Sequence, residues 1–113
     1  MSVMRDIELI DNWIDDGAPE VFRHNPTLAL YGRVAKVSEE CGEVMQALIG
    51  ATGQNPRKGV SHSMDDVTDE LADVILTSLC AIQHLTQNSD KTMQIVKARI
   101  SAVITRAGIQ SPL

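Results

Sequence analysis

Residues 25–53 read NPTLALYGRVAKVSEECGEVMQALIGATG, and this stretch decides the fold. Asn25 before Pro26 is a helix start. The Asn side chain can cap free backbone N–H groups, and proline, which has no N–H to lose, suits the first helical position. From there Val34, Val37, Cys41, Val44 and Leu48 step by three and four, so one apolar stripe runs up to Gly50 or Gly53. A helix of about 25 residues is expected, nearly 40 Å long at 1.5 Å per residue.

The same reading extends in both directions. Upstream, Val3, Ile7, Ile10 and Ile14 recur at helical spacing, and Gly17 with Pro19 stops that helix. Downstream, Gly53 to Gly59 is a loop by its glycines and proline. Ser63 opens a third helix, with Asp66 three residues later as an imperfect capping box, and Val67, Leu71, Ile75, Leu79 and Ile82 supply its stripe. Asn88, Ser89 and Asp90 break it and offer an N-cap for a fourth helix. That helix carries Met93, Val96, Ile100, Val103 and Ala107 and is ended by Gly108 and Pro112. Strand-like alternation and internal repeats are absent. The expectation is an all-α, four-helix bundle-like fold in a single domain over residues 1–113.

Composition removes several function classes. The 113 residues carry a net charge of −5 and a pI of about 5.0, the wrong balance for a duplex nucleic-acid binder that needs a basic stripe. One Trp, one Tyr and one Phe make a poor stacking platform for single strands. No apolar run approaches the ~18 residues of a membrane span, and no signal peptide is visible. Cys41 and Cys80 both lie in apolar stretches and read as small reduced core residues, so a cytoplasmic protein is expected. A chain this small often gains buried surface by oligomerising.

The acids carry the functional signal. Eight of the 15 Asp and Glu residues fall between positions 39 and 73, where the only Lys or Arg residues are Arg57 and Lys58. Asp65, Asp66 and Asp69 sit at or near a first turn, where carboxylates favour the helix dipole. Glu40 and Glu43 are three apart on the second helix, and Glu70 and Asp73 repeat that spacing on the third, each pair flanking an apolar stripe. When the two helices pack by those stripes, the pairs can face each other across the seam. Four ionised carboxylates so close repel unless a cation fills the gap. An all-oxygen set suits Mg²⁺, with Mn²⁺ as a possible substitute. A di-iron site would need Glu-x-x-His, and none of His24, His62 and His84 stands three residues after a Glu.

Ser38-Glu39-Glu40-Cys41-Gly42-Glu43-Val44, followed after the loop by Asp69-Glu70-Leu71-Ala72-Asp73-Val74, resembles the MazG-like family of all-α nucleoside triphosphate pyrophosphohydrolases. The likeness covers a catalytic core of about residues 28–85. It implies hydrolysis of a nucleoside triphosphate to its monophosphate and pyrophosphate, dependent on Mg²⁺, with nucleotide-pool house-cleaning as the role. Glu40, Glu43, Glu70 and Asp73 would be the metal ligands, and Glu39 an outer ligand or the group that orients the attacking water. The family also implies a homodimer or homotetramer with sites built between subunits. Sibling substrates are dUTP, dCTP and phosphoribosyl-ATP; from another class, a non-catalytic helical oligomer that binds a protein partner fits the same acids as mere solvated surface.

Cations must hold the outgoing pyrophosphate. Arg57 and Lys58 lie on the loop between the two acid pairs, where they could fold over phosphates, and Lys36 stands one turn before Glu40 as either a phosphate contact or a structural ion pair. Of the base-stacking candidates Trp13, Phe22 and Tyr31, Trp13 is the choice for the base pocket. His84 reads as an ordinary helix residue.

Overall fold

The computed structural model describes residues 2–110, which form five helices and no strand. They are α1 (Val3–Gly17), α2 (Glu20–Arg23), α3 (Pro26–Thr52), α4 (Met64–Thr86) and α5 (Ser89–Ala107). The unforeseen element is α2. It is a single turn in which the N–H groups of Phe22 and Arg23 donate to the Pro19 carbonyl at 2.9 and 3.2 Å. Pro19 therefore stops one helix and starts another, and four residues are too few to show a period.

The capping residues act as their chemistry requires. Asn25 Oδ1 accepts from the Leu28 N–H at 3.0 Å. The Ser63 capping box is complete in both directions: Ser63 Oγ accepts from Asp66 N–H at 3.2 Å and Asp66 Oδ2 from Ser63 N–H at 2.9 Å. The backbone hydrogen bond holds the Asp66 carboxyl below its ordinary range. Asn88 caps α5 through Lys91 N–H at 2.9 Å, and Gly108 closes it in the left-handed conformation at φ +70°. Pro112, the other expected stop, lies outside the described residues.

Of the two glycines that could end α3, Gly53 does so, with φ +65° and its N–H donated to Ile49 O. Gly50 stays inside the helix for a different reason. Ser61 and His62 lie directly against it, a Cβ there would collide with both side chains, and Ser61 N–H donates to Gly50 O at 3.0 Å. The 53–63 loop is thereby folded back along α3.

The most extensive helix pair is α3 on α4, with α1 and α5 packed against α4. Met4, Ile7 and Cys80 form the buried cluster, backed by Ile10, Leu76, Leu79 and Met93. The fully buried Thr92 ties α5 to α4 by donating to Gln83 Oε1 at 2.8 Å, while its hydroxyl lies 2.7 Å from that of Thr86.

Several expected core positions point outward. Cys41 is exposed, whereas Cys80 is buried as expected. Val34, Leu71, Ile75, Ile100 and Val103 are each about half exposed or more. The reason is rotational. On α3 the buried line runs through Arg33, Glu40 and Ala47, one residue and so about 100° away from Val34 and Cys41. The helix thus has a second apolar face, including Tyr31, Val34, Met45 and Ile49, that no other described helix covers. Accordingly the radius of gyration is 17.4 Å, against about 13 Å for a compact chain of this length. The accessible surface is 8300 Å², against about 6,100 Å² for a folded monomer of this mass.

Candidate active site

The α3–α4 seam brings together acids from both helices. Single oxygens of Glu40, Glu70 and Asp73 lie within 4.8 Å of one another, and so do oxygens of Glu39, Glu40 and Glu43. Glu40 belongs to both groups and is the most buried of the five, whereas Glu43, Glu70 and Asp73 are half-buried and Glu39 is exposed. Of the α3 pair, Glu40 alone is grouped with Glu70 and Asp73 across the seam; Glu43 is grouped with Glu39 and Glu40 on its own helix.

The electrostatics are those of a site short of positive charge. Burial pushes the Glu40 carboxyl above its ordinary value; contact with Glu43 and the charges of Glu43 and Asp73 push it further, and only Lys36 opposes them. Glu40 Oε2 and Glu70 Oε2 are buried and have no hydrogen-bond partner among the described residues. Buried carboxylate oxygens are nearly always satisfied, so two orphans facing one seam call for an electropositive occupant. Carboxylate oxygens in this number suit a hard divalent cation, and these residues fit one.

The cation nearest the acids is Lys36, whose Nζ lies 3.0 Å from Glu39 Oε1 and 3.7 Å from Glu40 Oε1. Contact with Glu39 holds the ammonium firmly protonated, its pKa raised. Arg57 and Lys58 are exposed on the loop. Lys58 lines a recess of about 360 Å³ of mixed character, with Met45 and Ile49 as well as Gln46, Ser61 and His62, on the α3 face that continues from Glu39 and Glu43; Arg57 is not part of that lining. Trp13 is largely exposed and borders an apolar cavity with Phe22, whereas Tyr31 does not line it. Cys80 has its thiol pushed up by burial and by the charge of Asp11, which is unfavourable to a nucleophilic thiolate.

A second polar cluster escaped the sequence reading. Arg33 donates from Nε and Nη2 to Asp11 Oδ1 at 3.2 and 2.8 Å, from Nη2 to the Asp11 carbonyl at 3.0 Å, and to Asp15 Oδ1 at 2.9 Å. His84, expected as an ordinary helix residue, lies in α4 and faces this cluster. Its ring is largely buried, with Nδ1 3.6 Å from Asp11 Oδ1 and 3.9 Å from Asp15 Oδ1. Asp11, Asp15 and His84 have the spacing of a metal site, but the guanidinium already supplies their positive charge. The signal for it was present: Asp11 stands four residues after Ile7 and Arg33 four before Val37, each in phase with a buried line and of opposite sign.

A model of the MazG nucleotide pyrophosphohydrolase domain family matches residues 32–106. That span, about two thirds of the chain, contains all five clustered acids, whereas α1 with Asp11, Trp13 and Asp15 precedes it. No curated protein and no solved structure matches the chain.

Proposed function

The chain belongs to the MazG nucleotide pyrophosphohydrolase domain family, and from that premise we propose that it cleaves (deoxy)nucleoside triphosphates to monophosphate and pyrophosphate with Mg²⁺, clearing unwanted nucleotides from the cytoplasmic pool. Members of the family are hydrolases of phosphoric anhydrides that generally use a divalent metal. The observation that carries the reading for this chain is the meeting of Glu40, Glu70 and Asp73 at the seam, with two buried carboxylate oxygens unsatisfied.

Glu40, Glu43, Glu70 and Asp73 hold the metal in this reading. A bound divalent ion would supply the positive charge that lets a polyanion approach the acidic cluster and would favour ionisation of the attacking water. Glu39, exposed beside Glu40, accepts a hydrogen bond from the attacking water. Lys36 steadies Glu39 and Glu40, and with Lys58 and Arg57 it offers positive charge to the phosphates. Trp13 stacks on the base.

Self-association belongs to the same proposal. The protomer exposes about 2,200 Å² more than a monomer of its mass, of the order an obligate homodimer or homotetramer buries per subunit. The apolar faces of α3 and α5 supply it. With a net charge of −5 and no helix long and apolar enough to cross a membrane among the described residues, small nucleotides are the partners rather than nucleic acid or lipid.

The test is pyrophosphate release from a panel of canonical and damaged triphosphates with Mg²⁺, Mn²⁺ or EDTA. Metal-dependent release that is lost in Asp73→Asn while the helical spectrum persists supports the reading. Orthophosphate as the first product refutes the bond assignment. Silence on every triphosphate, phosphoribosyl-ATP included, leaves a binding oligomer.

A further inference from the structure

A cavity of about 330 Å³ opens between α1, α2 and α3. Trp13 and Phe22 supply its aromatic surface, and Ala18, Ala29 and Gly32 keep it open beside them; its polar lining is limited to Asp15, Arg33 and Lys36. An apolar recess with a few fixed polar groups is the usual form of a small-molecule site, and aromatic walls suit a flat ring. The cavity also leads somewhere. Arg33 and Lys36 line a second cavity of about 240 Å³ that reaches Glu40 and Asp73. Lys36 itself contacts Glu39 and Glu40. One molecule with a planar ring at one end and phosphates at the other would occupy both.

Asp15 is the group placed to discriminate among rings. Its Oδ1 accepts from Arg33 Nη2 at 2.9 Å, and Arg33 is anchored in turn by the almost fully buried Asp11. The carboxylate is therefore held in place at the cavity wall, and Oδ2 has no protein partner among the described residues. An ionised carboxylate only accepts hydrogen bonds. Its counterpart on a nucleobase is an exocyclic amino group, as when Asp or Glu accepts from the cytosine N4 amine. A carbonyl oxygen in the same position would set lone pairs against the negative charge.

We propose that this cleft reads the base and, through Asp15, selects one with an exocyclic amino group on its outer edge, cytosine or adenine, over uracil or thymine. The inference rests on the reading of the neighbouring carboxylates as the phosphate end of the site. Trp13, Asp15 and Phe22 precede the residues that match the family, whereas Gly32, Arg33 and Lys36 lie within them, so the selectivity depends on this chain's own α1.

Trp13 is the only tryptophan in the chain, so its fluorescence reports on this cleft alone. The full-length protein is titrated in EDTA with cytidine, adenosine and uridine, which need neither metal nor turnover. Cytidine or adenosine should quench saturably at a concentration about tenfold or more below that for uridine, the worth of one charge-assisted hydrogen bond; the tighter of the two gives the ring size. Asp15→Asn keeps the shape but adds an N–H donor, so the preference should fall to about twofold or less. Equal binding of all three by the wild type, no quenching by any, or a preference unchanged in Asp15→Asn overturns the proposal. Discrimination without pyrophosphate release would sink the catalytic reading and leave this cleft; release at equal rates from CTP and UTP, without discrimination, would do the reverse.

Discussion

Arg33→Met is the sharpest test of how α1 is held to the α3–α4 pair. Both partners of the Arg33–Asp11 contact are buried, with side chains 8% and 2% exposed, and the shortest bond is 2.8 Å. Methionine keeps most of the length but removes every donor, which strands the Asp11 carboxylate with His84 Nδ1 at 3.6 Å as its nearest cationic candidate. Removing one partner of a buried pair costs about 3–5 kcal/mol. Against a stability of about 6–17 kcal/mol for 113 residues, that is a large share. An unfolding entropy of about 0.24 kcal/mol/K for this length converts it to a fall in Tm of about 13–21 °C. The companion variant Asp11→Leu with Arg33→Met replaces both charges, and should recover most of the loss, to within about 2 kcal/mol of wild type. Asp15 is half-buried, so water can take over its Arg33 bond. Helical circular dichroism through a urea titration reads all three proteins, at one fixed protein concentration because association would shift the midpoint. A loss below about 1 kcal/mol in Arg33→Met, or a double variant no better than the single, would show that the network does not hold the helices.

Three further perturbations follow from particular contacts. Glu40 has its carboxyl raised in the folded state, so its protonation favours folding. In EDTA that contribution is complete below the ordinary glutamate pKa and is lost as pH rises through the higher folded value. Thermal midpoints of the metal-free protein should therefore fall across that window; Glu40→Gln should flatten the fall, and Mg²⁺ should raise the midpoint of the wild type at neutral pH but not of the variant. A metal-free wild type that gains stability across the window would contradict the site's electrostatics. Gly50→Ala forces a Cβ into His62 and Ser61 and should cost about 1–3 kcal/mol by overpacking, with proteolysis at the 53–63 loop as a second readout; a neutral substitution would mean the loop does not lie on α3. Ser63→Ala removes the hydroxyl that accepts from Asp66 N–H and should cost about 1 kcal/mol, measured as a shift in the urea midpoint with unchanged slope.

Helix starts and stops were the most legible part of the sequence, because each depends on a local interaction. Asn25, Ser63 and Asn88 bond to N–H groups three residues away, and Gly53 and Gly108 take positive φ. Nothing distant can override such contacts cheaply. The helix faces were less legible. A stripe such as Val34, Val37, Cys41, Val44 reads as one face, but α3 is apolar on more than one side, and which side is buried depends on how α4 meets it. Cys41 was misplaced for that reason. Arg33, Asp11 and His84 were missed because a charged residue in stripe phase looks like an interruption until its partner, 22 positions away in the chain, is seen to neutralise it.

The carboxylates were singled out by the same helical geometry that misplaced Cys41. Glu40 and Glu43 were assigned by their relation to each other and to Glu70 and Asp73, which survives a rotation of the helix about its axis, whereas burial does not. The rotation that turns Cys41 outward is the one that turns Glu40 into the seam, where it meets Glu70 and Asp73. A helix set by apolar packing alone would bury Val34 and Cys41 and leave Glu40 at the surface. This helix buries a carboxylate that Lys36 alone offsets and leaves Tyr31, Val34 and Met45 exposed. In the proposed function a divalent cation would offset the buried carboxylate further and a second copy of the chain would cover the apolar face. Both features, the buried carboxylate and the exposed apolar face, come from the same rotation of α3 about its axis.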